Sequence, residues 1–305
     1  MKMKLKDIGE IGLIEKLARR IKLDRSVVKG IGDDAAVIKW TSNKYLLYTC
    51  DMLIEDVHFR LDKATPYQIG WKALARNVSD IAAMGGVPRY ALVSIGLDSA
   101  MPVSFIDELY RGMAELADKF GINIVGGDTA KSKSLVIDVS LIGEVEKKNL
   151  ILRSGAKAGD LIVVTGYIGG AAKGKHLNFM PRIMEVRSLV KDFKINSMID
   201  ISDGLVLDLW RILDASGVGG YIYKGLVPVS NQAASFEKAI SEGEDFELVF
   251  TMSPKEVNRA FMGRILKIRT PVTLIGEVVN KRCGYKLVMD NGKKKDLKVR
   301  GYLHF

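Results

Sequence analysis

Cysteine is almost missing from this chain. Cys50 and Cys283 are the only two in 305 residues, which excludes a disulfide framework and any cysteine-built zinc cluster. A reducing, cytoplasmic setting fits that scarcity. Histidine is equally sparse, with 3 residues. No stretch is long and apolar enough to span a bilayer, so a membrane partner is not expected. The start, Met1-Lys2-Met3-Lys4-Leu5-Lys6, has the charge of a signal-peptide n-region, but Asp7-Ile8-Gly9-Glu10 stands where an apolar segment would begin. A glycine-rich loop ending in Gly-Lys-Ser or Gly-Lys-Thr is also absent, as is a kinase-type catalytic Asp with its Asn. The familiar nucleotide folds are therefore not expected.

Positive charge, by contrast, is in excess: the net charge is +10 and the pI about 9.4. Such a balance raises the question of a nucleic-acid partner, but the basic residues are spread along the chain. The densest run, Lys293-Lys294-Lys295, follows Asn291-Gly292, a hairpin-turn signal, and reads as a solvated turn. No nucleic-acid partner is expected, and a basic surface suits phosphorylated metabolites instead. With 48% hydrophobic residues over this length, two domains are the natural expectation.

Aspartate carries most of the information. It recurs in glycine-rich or strand-end contexts: Gly32-Asp33-Asp34, Thr49-Cys50-Asp51, Ser79-Asp80, Gly126-Gly127-Asp128 and Asp200-Ile201-Ser202-Asp203-Gly204. One such aspartate is usually a turn residue or a helix cap. Several converging from distant segments would repel one another unless a cation neutralised them, and hard divalent cations are collected in this way. Phosphoryl transfer fits such a set, because it needs cations to hold and neutralise phosphate oxygens rather than a covalent nucleophile.

Periodicity places these acids on an α/β framework. Apolar spacing predicts an amphipathic helix over Glu10 to Ile21, strands at Ala35 to Lys39 and Tyr45 to Thr49, and a long helix from Pro66 to Met84 carrying Asp80. The strands put their acidic motifs at strand ends. A strand at Tyr90 to Leu97, a helix at Pro102 to Phe120, a short strand at Ile122 to Val125 entering the Asp128 motif, and a strand at Leu135 to Gly143 follow. Polar residues and glycines from Glu146 to Gly159 mark a domain boundary. Beyond it come a strand at Leu161 to Thr165, a helix at Arg182 to Val190, a strand into Asp200 and a helix at Leu205 to Ala215. Strand and helix signals continue through Tyr221, Phe236, Leu248 and Ile265 to a hairpin at Tyr285 to Val299.

The order and wording of these motifs resemble the thiamine-monophosphate kinase family, of the superfamily that includes aminoimidazole ribonucleotide synthetase. The resemblance covers nearly the whole chain and rests on seven segments: Gly9–Ile14, Gly30–Val37, Thr49–Phe59, Asn77–Gly86, Gly126–Thr129, Asp200–Leu205 and Gly243–Leu248. It implies two domains: a strand-rich N-terminal domain, residues 1–146, with helices on one face of a dimer-forming sheet, and a C-terminal α/β domain, residues 147–305. It further implies transfer of the γ-phosphoryl of ATP to thiamine monophosphate, with several Mg2+ ions, in a homodimer joined through the N-terminal strands.

The same resemblance assigns roles. Asp34, Thr49, Asp51, Asp80, Asp128, Asp200 and Asp203 are implied as metal ligands; Tyr110, Gly127, Asp128, Arg153 and Ser202 as ATP contacts; His58, Glu244 and Tyr302 as contacts to thiamine monophosphate. Asp80, Asp128 and Arg153 are the residues expected to matter most for the transfer itself. Asp33 is expected only to support its turn. Cys50 departs from the family's usual threonine, and because a thiol is a poor magnesium ligand its contribution is expected through the carbonyl alone. Glu242 stands where the family has a second glycine, and the loop from Pro228 to Glu242 is short. Two rivals predict different behaviour: another enzyme of the superfamily with a different acceptor, and a non-catalytic basic protein binding nucleic acid or scaffolding a partner.

Overall fold

Eleven residues from Lys44 to Ile54 alternate in side-chain direction, Leu47, Thr49 and Leu53 inward and Tyr48, Cys50 and Met52 outward, as a half-buried strand requires. This strand is central to the N-terminal sheet of the computed structural model, which describes residues 4–262 and 268–305. The elements run α1 (Leu5–Ala18), β1 (Val27–Lys29), β2 (Ala36–Lys39), β3 (Lys44–Ile54), α2 (Pro66–Ala83), β4 (Val87–Leu97), α3 (Val103–Phe120), β5 (Asn123–Lys131) and β6 (Val136–Glu146). The strand order is β1-β2-β3-β6-β4-β5, antiparallel except for the β4–β5 pair.

The remaining elements are β7 (Leu161–Thr165), α4 (Lys175–Asn178), α5 (Ile183–Asp192), β8 (Ser197–Asp200), α6 (Leu205–Ser216), β9 (Gly219–Tyr223), α7 (Phe236–Ser241), β10 (Leu248–Met252), α8 (Pro254–Met262), β11 (Val272–Val279), β12 (Tyr285–Val288) and β13 (Lys294–Asp296). They build a second sheet in the order β13-β12-β9-β11-β7-β10-β8. The result is the expected mixed α/β architecture.

Helix α2 ties the halves together. Thr65 and Gln68 form its capping box, Pro66 opens it, and residues on every side of it are buried, as a helix enclosed on all faces must be. Ile69, Leu74 and Ile81 share one core with Leu47 and Val139 of the first sheet and with Met198, Leu248 and Phe250 of the second. The opposite face of the second sheet, through Ile162, Val164 and Val249, packs on Leu205, Leu209 and Ile212 of α6. Close approach of α2 and α3 depends on two glycines: a Cβ on Gly70 would lie 1.8 Å from the Leu109 carbonyl oxygen, and one on Gly112 2.0 Å from that of Tyr67.

Several elements differ from their sequence expectation. β3 runs on to Ile54, because β6 pairs with it along its whole length, so Asp51 lies inside a strand and not at its end. β5 likewise runs through the Gly126-Gly127-Asp128 motif to Lys131, held parallel to β4. α1 begins earlier, bends at Gly9 (φ 64°), ends at Ala18 and buries no residue; its expected apolar face, including Ile14 and Leu17, is exposed. The signal at Ile265 falls outside the described residues.

Candidate active site

Three aspartates from distant segments meet where α2 passes between the sheets. Asp34 precedes β2, Asp80 lies on the last turn of α2, and Asp200 ends β8. Each contributes a carboxylate oxygen within 4.8 Å of the other two. Thr49 Oγ1, one strand residue from Cys50 and on the inward face of β3, donates to Asp80 Oδ2 at 2.5 Å. Ser79 Oγ donates to Asp200 Oδ2 at 2.5 Å. Burial, reinforced by the neighbouring aspartates, pushes the Asp80 and Asp200 carboxyls well above the usual range; burial also raises Asp34, against the pull of Arg153. Asp34 Oδ2 is buried with no hydrogen-bond partner. An all-oxygen donor set, mutual repulsion and an orphaned carboxylate oxygen fit a hard divalent cation such as magnesium.

Cations surround the cluster. Arg153 Nη2 donates to Asp34 Oδ1 at 2.7 Å while its backbone N–H donates to Asp33 Oδ1 at 3.1 Å, so Asp33 braces the loop that carries Arg153. Arg76 Nε lies 3.2 Å from Asp51 Oδ2. Asp203 stands outside the three-carboxylate group: its carboxylate accepts from Arg211 at 2.6 Å, and Arg211 also holds Asp208 at 2.6 Å. Asp208 Oδ2 in turn accepts the backbone N–H groups of Asp203 and Gly204, which fixes the turn between Asp200 and α6.

A cavity of about 400 Å³ adjoins the cluster, with Arg76, Ser202 and Asp203 on the shared side and His58, Glu244 and Tyr302 around it. Two loops are stitched together here, since Glu244 N–H donates to the Ser202 carbonyl at 2.7 Å and Phe246 N–H to that of Ile201 at 2.9 Å. Glu244 sits at φ 68°, a conformation unfavourable for a side chain of its size and characteristic of functional loops. Burial would raise its carboxyl, but hydrogen bonds from His176 and the charge of Lys72 bring it down to about 2. His58 goes the other way: burial, with Arg76 and Lys72 nearby, lowers it to about 4, so it is neutral. Its Nδ1 accepts the Ile54 N–H at 3.1 Å, which leaves the proton on Nε2. The C-terminal segment is docked at the site: Tyr302 N–H donates to the Asp203 carbonyl at 2.9 Å and Gly301 sits against Leu207.

The structure does not bring Asp128 to this cluster. Asp128 pairs with Ser94, in the row that continues through Asp138 to Met52, on the open face of the sheet and three strands from β3. Asp51, one residue along, is directed to the helix-covered face instead. Gly127 has a packing reason of its own, since a Cβ there would lie 1.8 Å from the Val93 carbonyl oxygen. Tyr110 is half-buried on α3. The Cys50 thiol faces the open side, 3.1 Å from Asp138, and so takes no side-chain part in the cluster.

Sequence reasoning missed Lys72, Arg76, His176, Asp208 and Arg211. One signal was available: Lys72 and Arg76 are charged residues, a helical turn apart, among the apolar positions of a long helix. His176 and the Asp208–Arg211 pair gave none.

Residues 32–145 match the family described as AIR synthase related protein, N-terminal domain, and residues 157–286 match its C-terminal domain. The chain is 36% identical to the thiamine-monophosphate kinase of Bacillus subtilis, with 98% of this chain and 100% of that one covered. It belongs to the thiamine-monophosphate kinase family. The solved structure of AaThiL complexed with AMPPCP and TMP superposes on the family member described here with a TM-score of 0.85 and 31% identity, covering 100% of both chains. Hydrogenase maturation protein HypE in complex with ATP, at 20% identity and a TM-score of 0.72, shares the fold alone.

Proposed function

We propose that this protein transfers the γ-phosphoryl group of ATP to thiamine monophosphate, giving thiamine diphosphate and ADP, the last step of thiamine diphosphate biosynthesis. The observation that carries the reading is that the helix bearing Asp80, through Arg76, and the turn after Asp200, through Ser202 and Asp203, also line a cavity fitted for a cationic aromatic phosphate. Ionised Glu244 suits the thiazolium charge, Tyr302 offers an aromatic ring, and neutral His58 offers Nε2–H to phosphate. The names of the family members and the ligands of the AaThiL complex support the same reading.

Asp34, Asp51, Asp80 and Asp200 with Thr49 would hold magnesium ions, and Asp128 and Asp203 would join them with the polyphosphate present. Bound there, the ions would offset the repulsion between two polyanions. Arg153 orients Asp34 and adds a planar cation for phosphate oxygens, and Ser202, Gly127 and Tyr110 serve the nucleotide. A phosphate oxygen of the acceptor is already ionised near neutral pH, so direct in-line transfer requires no general base.

A homodimer and a cytoplasmic setting belong to the same proposal. Tyr48, Met52, Tyr90 and Leu92 are exposed apolar side chains on the open sheet face, which ends at the uncovered edge strand β5, and such a face suits a second copy of this chain. Asp128 projects on that face and would act across the contact. Two free thiols, Cys50 and Cys283, suit a reducing compartment. The division into residues 1–146 and 147–305 is part of this reading, supported by one sheet in each.

The test is incubation with ATP, magnesium and thiamine monophosphate, following thiamine diphosphate by chromatography with a magnesium-free control. Magnesium-dependent product is expected. ATP bound without product would turn the search to other acceptors, and light scattering that gives a monomer would remove the dimer.

A further inference from the structure

The partly buried arginines differ in how closely their donors are engaged. Arg153 reaches Asp34 at 2.7 Å, Arg211 reaches Asp203 and Asp208 at 2.6 Å each, and Arg182 reaches Glu247 at 2.6 and 2.7 Å. Arg76 makes only long contacts: Nε to Asp51 Oδ2 at 3.2 Å, Nη2 to Asp51 Oδ1 at 3.5 Å and Nη1 to the Met52 carbonyl at 3.5 Å. Its Nε is buried and lacks a partner in hydrogen-bonding geometry. A guanidinium carries five N–H donors in one planar fork, and leaving them unused in a buried place is unfavourable unless another group is meant to take them.

Its position indicates which group that is. Arg76 lies four residues before Asp80 on α2, so both side chains leave the same face of the helix, and Arg76 also lines the cavity. Among the described residues that line this cavity it is the only lysine or arginine. The neighbouring cations are committed elsewhere: Lys72 Nζ donates to Glu244 Oε1 at 2.5 Å and to the His58 carbonyl at 2.7 Å, and Arg153 to Asp34. A phosphate entering the cavity meets the carboxylates of Asp203, Glu242 and Glu244, which line it, and a loosely engaged arginine fork would offset their charge.

We propose that Arg76 grips the phosphate of the acceptor, making it the residue that lets this cavity prefer a phosphorylated ligand to its unphosphorylated counterpart. The inference rests on the reading of the acceptor as thiamine monophosphate. A bland alternative is that Arg76 only balances Asp51. The two differ for an unphosphorylated ligand, which needs the balance of charge but not the fork.

Calorimetry on the full-length protein, with thiamine monophosphate and thiamine as separate probes, distinguishes them. Wild type should bind the monophosphate roughly tenfold or more tightly than thiamine, the value of charge-assisted hydrogen bonds to one phosphate. In Arg76→Met that ratio should collapse toward one with thiamine affinity unchanged, and Arg76→Lys should recover part of it. Added guanidinium should restore some turnover to Arg76→Ala. An unchanged ratio in Arg76→Met, or in Arg76→Lys should Arg76→Met not fold, overturns the inference. Equal weakening of both probes does the same and assigns Arg76 to charge balance. Wild type that phosphorylates thiamine monophosphate alongside an unchanged ratio leaves the function standing; wild type that binds neither probe removes both.

Discussion

Lys72 and Glu244 are 172 residues apart in sequence, yet Lys72 Nζ lies 2.5 Å from Glu244 Oε1, with the lysine side chain fully buried. This pair pins the loop of Glu244, on the second sheet's side of the cavity, to the helix that carries Asp80. His176 Nδ1, 2.9 Å from Glu244 Oε2, closes the group. The cavity's one strained carboxylate is thus held from the helix between the sheets.

Removing the lysine should therefore cost both fold and substrate. Lys72→Met leaves Glu244 without its cation, and breaking a buried pair in this way costs about 3–5 kcal/mol; the partial exposure of Glu244 to the cavity puts the expected loss toward the lower end. Chemical denaturation measures it. Glu244→Gln in the same background should recover part of the stability but not the binding of thiamine monophosphate.

Stability should depend on pH with a sign set by the acid cluster. Asp80 and Asp200 are held well above the usual carboxylate range, and burial raises Asp208 to about 7. The folded state keeps these protons to higher pH than the unfolded chain does, so this stability is lost as pH rises through the folded values. His58, at about 4 when folded, acts oppositely, but its effect fades through the unfolded imidazole's titration near pH 6.5 and is complete about one pH unit above it. The melting temperature in EDTA should fall from about pH 6.5 to pH 8.5, and magnesium should flatten that fall. An equal slope with magnesium would show that the cluster takes no metal.

Asp80→Asn should abolish turnover and leave the fold intact. It removes one of three carboxylates that repel one another once ionised, so above neutral pH the metal-free variant should melt higher than wild type, by about 1.5 °C for each ~1 kcal/mol relieved. Calorimetry without magnesium and a product assay with it give the two readings. A stable variant with full activity would count heavily against the site.

Gly70→Ala tests the frame and not the chemistry. Its Cβ would meet the Leu109 carbonyl oxygen at 1.8 Å, so α2 and α3 must separate, at a cost of about 1–3 kcal/mol for overpacking. Denaturation should register that loss. Because α2 carries Arg76 and Asp80, turnover should fall along with it.

The sequence by itself determined the elements whose signal is local. The capping box and Pro66 set the start of α2, the apolar run Leu161–Thr165 became β7 with the same bounds, and α6 began at Leu205 as its spacing predicts. It also determined which residue type would do the chemistry, since aspartates beside glycines and strand ends are visible without a fold.

What only the tertiary structure decided is which of those aspartates meet. Asp34, Asp80, Asp128, Asp200 and Asp203 look alike along the chain, but sheet order and face separate Asp128 from the rest, and Arg211 holds Asp203 aside. β3 and β5 outran their predicted ends because long-range pairing with β6 and β4 extends a strand past its local propensity. Lys72 and Arg76 are charged residues in an enclosed helix, and their use depends on Glu244 and Asp51, partners that only packing brings within reach. Electrostatic attraction between groups a few ångströms apart acts through space, and the order of residues along a chain does not record it.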